Sequence, residues 1–192
     1  GPGSPSWILI HAATGEVLDS REPDRPGPPA SMTKMMLALL VLEAVRDGQL
    51  KLDDPVRVSR LASKMGGSQV YLKEGEQFSV EEMLAAALKL SQTRFGSVHG
   101  LPPGPGQEGD VSTPRDMARL SQLLLEHPAV LRWTGTKDAP FRDGRFVLRN
   151  SNRLVGQFPG ADGIKTGHFF AAGYNVAATA RRGNLRLIAV IM

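Results

Sequence analysis

The sequence predicts an α+β architecture, an antiparallel β-sheet flanked by helices and carrying a helical lobe. Three observations lead there. The 192-residue chain is 41% apolar, enough for a packed core. Its hydrophobic spacing is strand-like at the start, helical through the middle and strand-like again in the last third. Glycine- and proline-bearing turns divide that last third into runs too short for helices. Strands, then helices, then strands is the order expected when one sheet draws on both ends of the chain.

Residues 1–4, Gly-Pro-Gly-Ser, read as a cloning remnant and stand outside the fold argument. Residues 5–192 are read as one domain, with the sheet drawn from about 6–19 and 145–192 and the lobe from about 52–130. Trp7 to Ile10, a turn at Thr14-Gly15-Glu16, and Val17-Leu18 make a β-hairpin. A polar, proline-rich connection, Arg21 to Pro29, leads to a helix that begins near Ser31. Met32, Met35, Met36, Leu39, Leu40 and Val41 give it an apolar stripe of core fillers, and Asp47-Gly48 ends it. Asp54 to Met65 is predicted as a second, shorter helix closed by Gly66-Gly67. Ser79-Val80-Glu81-Glu82 has capping-box spacing and opens a helix through Leu90. Gly100 to Asp110 is irregular, and Thr113-Pro114-Arg115-Asp116 opens a helix to about Glu126 with proline at its first position. Strands follow at Arg145–Arg149, Gly163–Gly167, Gly173–Arg181 and Leu185–Met192. Beyond Arg186 the last of these is nearly all apolar, the pattern of a strand covered on both faces.

Composition narrows the chemistry. With no cysteine, a disulfide scaffold, a thiol nucleophile and a cysteine-ligated metal are excluded. The four histidines, His11, His99, His127 and His168, are scattered without ligand spacing, so neither metal nor other cofactor is expected. The net charge of +4 is dispersed, with no block of five like charges, and predicts no nucleic-acid partner. The longest apolar run, Met35 to Leu42, is far short of the roughly 20 residues that span a bilayer. The single aromatics Trp133 and Tyr174 read as packing residues.

Two short motifs carry chemistry. Ser31 and Lys34 are one helical turn apart, so a lysine stands beside a hydroxyl. If neutral, that lysine takes the serine proton, and serine becomes a nucleophile with its own base. Lowering a lysine pKa to near 7 costs about 4 to 5 kcal/mol, which burial, a second cation and a helix N-terminus help to supply. Ser31 read alone is an N-cap. Lys165-Thr166-Gly167 on a late strand suits a carboxylate: charge from Lys165, a hydrogen bond from Thr166, close backbone approach at Gly167. Read alone, those three are a turn with no ligand.

Together, Ser-x-x-Lys on the first long helix and Lys-Thr-Gly on a late strand are the signature pair of penicillin-binding proteins and serine β-lactamases. The chain resembles most closely the low-molecular-mass D-alanyl-D-alanine carboxypeptidases. The likeness rests on Pro29 to Lys34, Gly66-Gly67-Ser68, His99-Gly100-Leu101, Ser112 to Met117, Asn150 to Leu154 and Asp162 to His168, in family order from Trp7 to Met192. The resemblance implies a β-lactamase/transpeptidase-like fold and a serine carboxypeptidase that removes the terminal D-Ala from peptidoglycan stem peptides. Ser31 would attack the penultimate D-Ala carbonyl with Lys34 as base, and Lys165 and Thr166 would hold the terminal carboxylate. Backbone N–H groups of Ser31 and His168 would form the oxyanion hole. β-Lactams would acylate the same serine and stall, and the work would lie outside the cytoplasmic membrane, in the periplasm or cell wall; these residues carry no secretion signal or membrane segment.

The family's third motif, Ser-x-Asn, is incomplete. Ser91 falls at its serine, but Thr93 stands where asparagine belongs. Thr93-Arg94-Phe95 resembles a segment well downstream in the family, so roughly thirty residues, about two to three average helices, are expected to be absent between Gln92 and Thr93. Residues of a longer protein left out of this sequence, a deliberate shortening, or a degenerate natural relative would each account for it. Two other functions stay open: a non-catalytic penicillin or peptidoglycan binder, and a class A-like β-lactamase. The latter needs a deacylating glutamate, and neither Glu108 nor Glu126 has the sequence context for one.

Overall fold

The computed structural model describes residues 4–64, 70–89 and 109–192. Five antiparallel strands make its main sheet, and they come from the two ends of the chain. β1 (Trp7–His11) and β2 (Val17–Arg21) form the predicted hairpin, with Gly15 at φ +75° in the turn. β7 (Ala161–Phe169), β8 (Gly173–Arg182) and β9 (Leu185–Ile191) form a meander. β9 lies between β8 and β1, so the sheet order is β2-β1-β9-β8-β7. Each segment end therefore joins the sheet through the other: Trp7 pairs with Ile191 and His11 with Leu187.

A four-residue 3₁₀ turn, Ala30–Thr33, leads into α1 (Lys34–Arg46). Two later helices form as their caps dictate. α3 (Val80–Lys89) has a capping box in which Ser79 Oγ accepts from the Glu82 N–H at 3.1 Å while the Glu82 carboxylate accepts from the Ser79 N–H at 2.7 Å. α4 (Pro114–Leu125) has Pro114 in its first turn, and Thr113 Oγ1 accepts from the Asp116 N–H. The main core joins the inner sheet face (Ile8, Ile10, Ala177, Ile188, Val190) to Met35, Leu39 and Leu42 of α1, Leu84 and Leu88 of α3, and Leu120 and Leu124 of α4.

Three expectations are corrected. Residues 54–65 are not one helix: β3 (Pro55–Arg57) comes first, then α2 (Arg60–Ser63). The reason is pairing. Val56 stands opposite Phe78 of β4 (Gln77–Ser79), and Ser59 caps only the short helix that remains, accepting from Ala62 N–H. Residues 145–149 are a strand but not part of the main sheet. β6 (Phe146–Arg149) pairs with an unpredicted strand, β5 (Asp138–Phe141), preceded by an unpredicted helix, α5 (Ala129–Thr134). Phe141 and Leu148 turn into a second core cluster with Val58, Val70, Phe78 and Ala86. Finally, β9 is not covered on both faces: Ile188 and Val190 are buried, whereas Leu187 and Ala189 are half-buried and Ile191 is 39% exposed. Met36 also departs from the expected core stripe, at 46% exposed. The readings at Gly66-Gly67-Ser68, Ser91, Gln92 to Thr93, His99 to Leu101 and Glu108 fall outside the described residues. No helix among the described residues is long and apolar enough to cross a membrane.

Candidate active site

Ser31 sits in the 3₁₀ turn, not at a helix cap, and its hydroxyl caps nothing. Pro29 fixes the approach at φ −73°, and Ala30 then takes φ +51°, a left-handed conformation that costs a non-glycine residue about 1 to 3 kcal/mol. That strain lies immediately before the serine and turns its side chain toward α1. Lys34, the first residue of α1, donates from Nζ to Ser31 Oγ at 2.9 Å. Both residues are buried. Burial lowers the Lys34 pKa to about 8, so the neutral base exists within reach of neutral pH.

The second motif lies on β7, beside the 3₁₀ turn. Lys165 is fully buried, and Nζ donates to the Thr166 carbonyl at 3.0 Å. Burial first, and the charge of Lys34 second, hold its pKa well below the ordinary lysine range. The two lysines thus share one site, where the charge of Lys34 makes a proton on Lys165 less welcome. Gly167 is required by contact. A Cβ there would meet the Ser31 backbone nitrogen at 2.8 Å, the Pro29 carbonyl at 2.9 Å and Ala30 Cβ at 3.1 Å. Opposite Gly167 on β8, Asn175 donates from Nδ2 to the Pro28 carbonyl at 2.7 Å, tying the loop before Ser31 to the sheet. Ser31, Lys34, Lys165, Thr166 and Gly167 are therefore gathered where β7 meets the 3₁₀ turn.

His168 follows on the same strand and stacks on Tyr174 of β8, ring centroids 4.1 Å apart. Tyr174 is 83% exposed, so it is not the packing residue expected; it is a surface aromatic beside the site. Trp133 is buried as expected, and its indole N–H donates to the Glu81 carboxylate. Ser91 lies outside the described residues, but α3 brings Lys89 close to β7. The Lys89 carbonyl accepts from Ser151 Oγ at 3.1 Å, and Ser151 Oγ is 2.7 Å from Thr166 Oγ1. Asn150 and Asn152 clamp that serine: Asn150 Nδ2 donates to the Thr134 and Thr136 carbonyls, and Asn152 Nδ2 to the Gly163 carbonyl of β7. Asn150, Ser151, Asn152, Lys89 and Asn175 were not picked out as site residues. Only the Asn-Ser-Asn string gave a signal, as part of the resemblance.

Among the described residues, no group of three or more His, Asp or Glu could hold a metal. Glu126, at the end of α4, is exposed.

Comparisons with known proteins point to one family. The family model for D-alanyl-D-alanine carboxypeptidase, peptidase S11, matches residues 3–92 and 84–192. The D-alanyl-D-alanine carboxypeptidase DacF of Bacillus subtilis is 36% identical over 222 residues, covering 97% of this chain and 56% of the relative. DacC of Escherichia coli is 32% identical over 227, with the same coverages. The chain spans about half the length of these curated relatives. Among solved structures, penicillin-binding protein D2 of Listeria monocytogenes, in its cefotaxime-bound form, superposes with a TM-score of 0.82 at 29% identity, covering 97% of this chain and 87% of that one. The sheet and the flanking helices superpose on those of a penicillin-binding protein, and the chain belongs to the D-alanyl-D-alanine carboxypeptidase family, peptidase S11.

Proposed function

We propose that this chain carries the catalytic machinery of a serine D-alanyl-D-alanine carboxypeptidase acting on peptidoglycan stem peptides outside the cytoplasmic membrane. One observation carries the reading: a buried lysine with its pKa near 8 stands 2.9 Å from a buried serine hydroxyl, beside the Lys-Thr-Gly strand. With pKa about 8, about one Lys34 in ten is neutral at pH 7. Neutral Lys34 takes the Ser31 Oγ proton as Oγ bonds to the penultimate D-Ala carbonyl carbon. Negative charge moves to the carbonyl oxygen, received by the Ser31 and His168 N–H groups. The C–N bond then breaks, Lys34 returns the proton to the departing D-Ala amine, and water hydrolyses the ester. Lys165 and Thr166 hold the terminal carboxylate throughout. In a β-lactam the leaving amine stays tethered, so the acyl-enzyme persists; cefotaxime and ampicillin are bound in solved structures of the Listeria relative.

Ser91 is assigned as the serine of the third motif, supported by the delivery of α3's end to β7 through Ser151. A break of roughly thirty residues after Gln92, about two to three average helices, is supported by alignments of 222 and 227 positions against a 192-residue chain and by a family match in two segments. A second reading, a penicillin- or peptidoglycan-binding relative with impaired turnover, is favoured by Thr93 standing where the motif asparagine belongs. Release of D-alanine from a peptide ending in D-Ala-D-Ala separates the two. Release that disappears in Ser31→Ala supports the carboxypeptidase; a penicillin adduct without release supports the binder.

A further inference from the structure

We infer that Ser151 is a positioning residue for substrate binding, and that a carboxylate reverses the hydroxyl chain Thr166–Ser151–Lys89 carbonyl. This rests on the carboxypeptidase reading above, because it assigns a job to the Thr166 hydroxyl.

The argument is one of protons. A serine hydroxyl has one proton to donate. Ser151 Oγ is 3.1 Å from the Lys89 carbonyl oxygen, which can only accept, so the Ser151 proton points there. At 2.7 Å the Ser151 and Thr166 hydroxyls are also bonded, and with the serine proton already placed, Thr166 must be the donor. The resting Thr166 hydroxyl thus aims its proton at Ser151 and offers lone pairs elsewhere. That orientation repels an anion.

A carboxylate needs the opposite polarity. If the Ser151 proton swings to Thr166 Oγ1, the Thr166 proton is released to donate to the carboxylate. The Lys89 carbonyl is not stranded by the swing, because the Ser151 backbone N–H stands 3.3 Å from it. A neutral hydrogen bond is exchanged for a charge-assisted one, and the serine–threonine bond then polarises the hydroxyl that meets the anion.

The surroundings hold this chain in place. Lys89 Nζ donates to the carbonyls of Trp133 and Thr136 and to Thr136 Oγ1, so the end of α3 cannot drift from the α5–β5 turn. Asn150 and Asn152 fix the residues on either side of Ser151. Thr166 is thereby held at a fixed place on β7 with a partner able to donate or accept.

The test measures acylation by benzylpenicillin, which has a carboxylate, and by its methyl ester, which does not, reading adduct by intact mass. Ser151→Ala is expected to lower the acylation efficiency with the acid about tenfold. The loss should lie in the concentration for half-maximal rate, with the limiting rate unchanged within about twofold, and the ester should react equally with parent and variant. Ser151→Thr is expected to restore the acid reaction and Ser151→Val not to. That near-isosteric pair keeps the comparison valid if the alanine variant folds poorly. Ser151→Ala combined with Thr166→Ala should be no slower than Thr166→Ala alone. Equal losses on acid and ester, or no loss on either, overturn the inference and leave the carboxypeptidase reading standing. Absence of any adduct on the parent chain overturns both.

Discussion

The main sheet and the two small two-stranded sheets bury apolar side chains by different means. In the main sheet, five strands pair in long registers, and one face shares a core with α1, α3 and α4. In the small sheets, strands of three and four residues are held by a few distant contacts. Phe78 stacks on Phe141 at 4.9 Å, and Arg142 crosses between segments to reach the Val70 and Tyr71 carbonyls and Glu76. The lesson is a division of labour. Ser31, Lys34 and Lys165 lean on the large core, where displacement is costly, while the cluster between the small sheets supports the flank of α3. Damage to the first region should fall on chemistry or on global stability. Damage to the second should be smaller and local.

Gly167→Ala tests the contact between the two catalytic segments and should have the largest effect. Its methyl group would collide with the Ser31 nitrogen that the proposed oxyanion hole uses. Acylation by penicillin should fall about 100- to 1,000-fold, the loss expected when an oxyanion donor is removed; a variant acylated at the parental rate would break the assigned geometry. Next comes Ile188→Ala in the fully buried centre of β9, which should cost about 2 to 5 kcal/mol in denaturant unfolding.

The pH dependence comes third. The proposed mechanism needs neutral Lys34, whose pKa lies near 8, so the acylation rate should rise about tenfold from pH 6 to 7 and level off above pH 8. Stability follows the same group with a definite sign. Between about 8 and the unfolded-state value near 10.5 the unfolded chain binds more protons, so unfolding free energy from this lysine rises with pH across that window. Lys34→Met should remove that contribution from a pH series of unfolding midpoints. Smallest is Ser79→Ala, which opens the α3 capping box beside the small sheets and should cost about 1 kcal/mol in thermal unfolding while penicillin acylation stays near the parental rate. A larger stability loss there than at Ile188 would reverse the ranking of the two regions.

Signals that reside in neighbouring residues were legible from sequence. Ser79 and Glu82 announced a capping box, Thr113 and Pro114 a helix start, and the three apolar runs after Pro159 a meander. Ser31 and Lys34 were legible for the same reason, since three residues fix their distance on a turn. Features made by distant partners were not. Pro55–Arg57 is a strand because Gln77–Ser79 pairs with it, and Asp138–Phe141 because Phe146–Arg149 does; each run is too short to show a period of its own. Tyr174 looked like any core aromatic until register set it opposite His168. Ser151 is marked in the sequence only by the likeness of Asn150 to Leu154 to the family, and its contacts come from Thr166 and the Lys89 carbonyl, which the fold places on either side of it.

The central claim is that Ser31 is the nucleophile. Incubation with benzylpenicillin followed by intact-mass analysis of the parent chain and of Ser31→Ala tests it most directly. A single penicilloyl adduct on the parent and none on the variant is the predicted result. A parent chain that gains no mass, or an adduct that persists in Ser31→Ala, would contradict it.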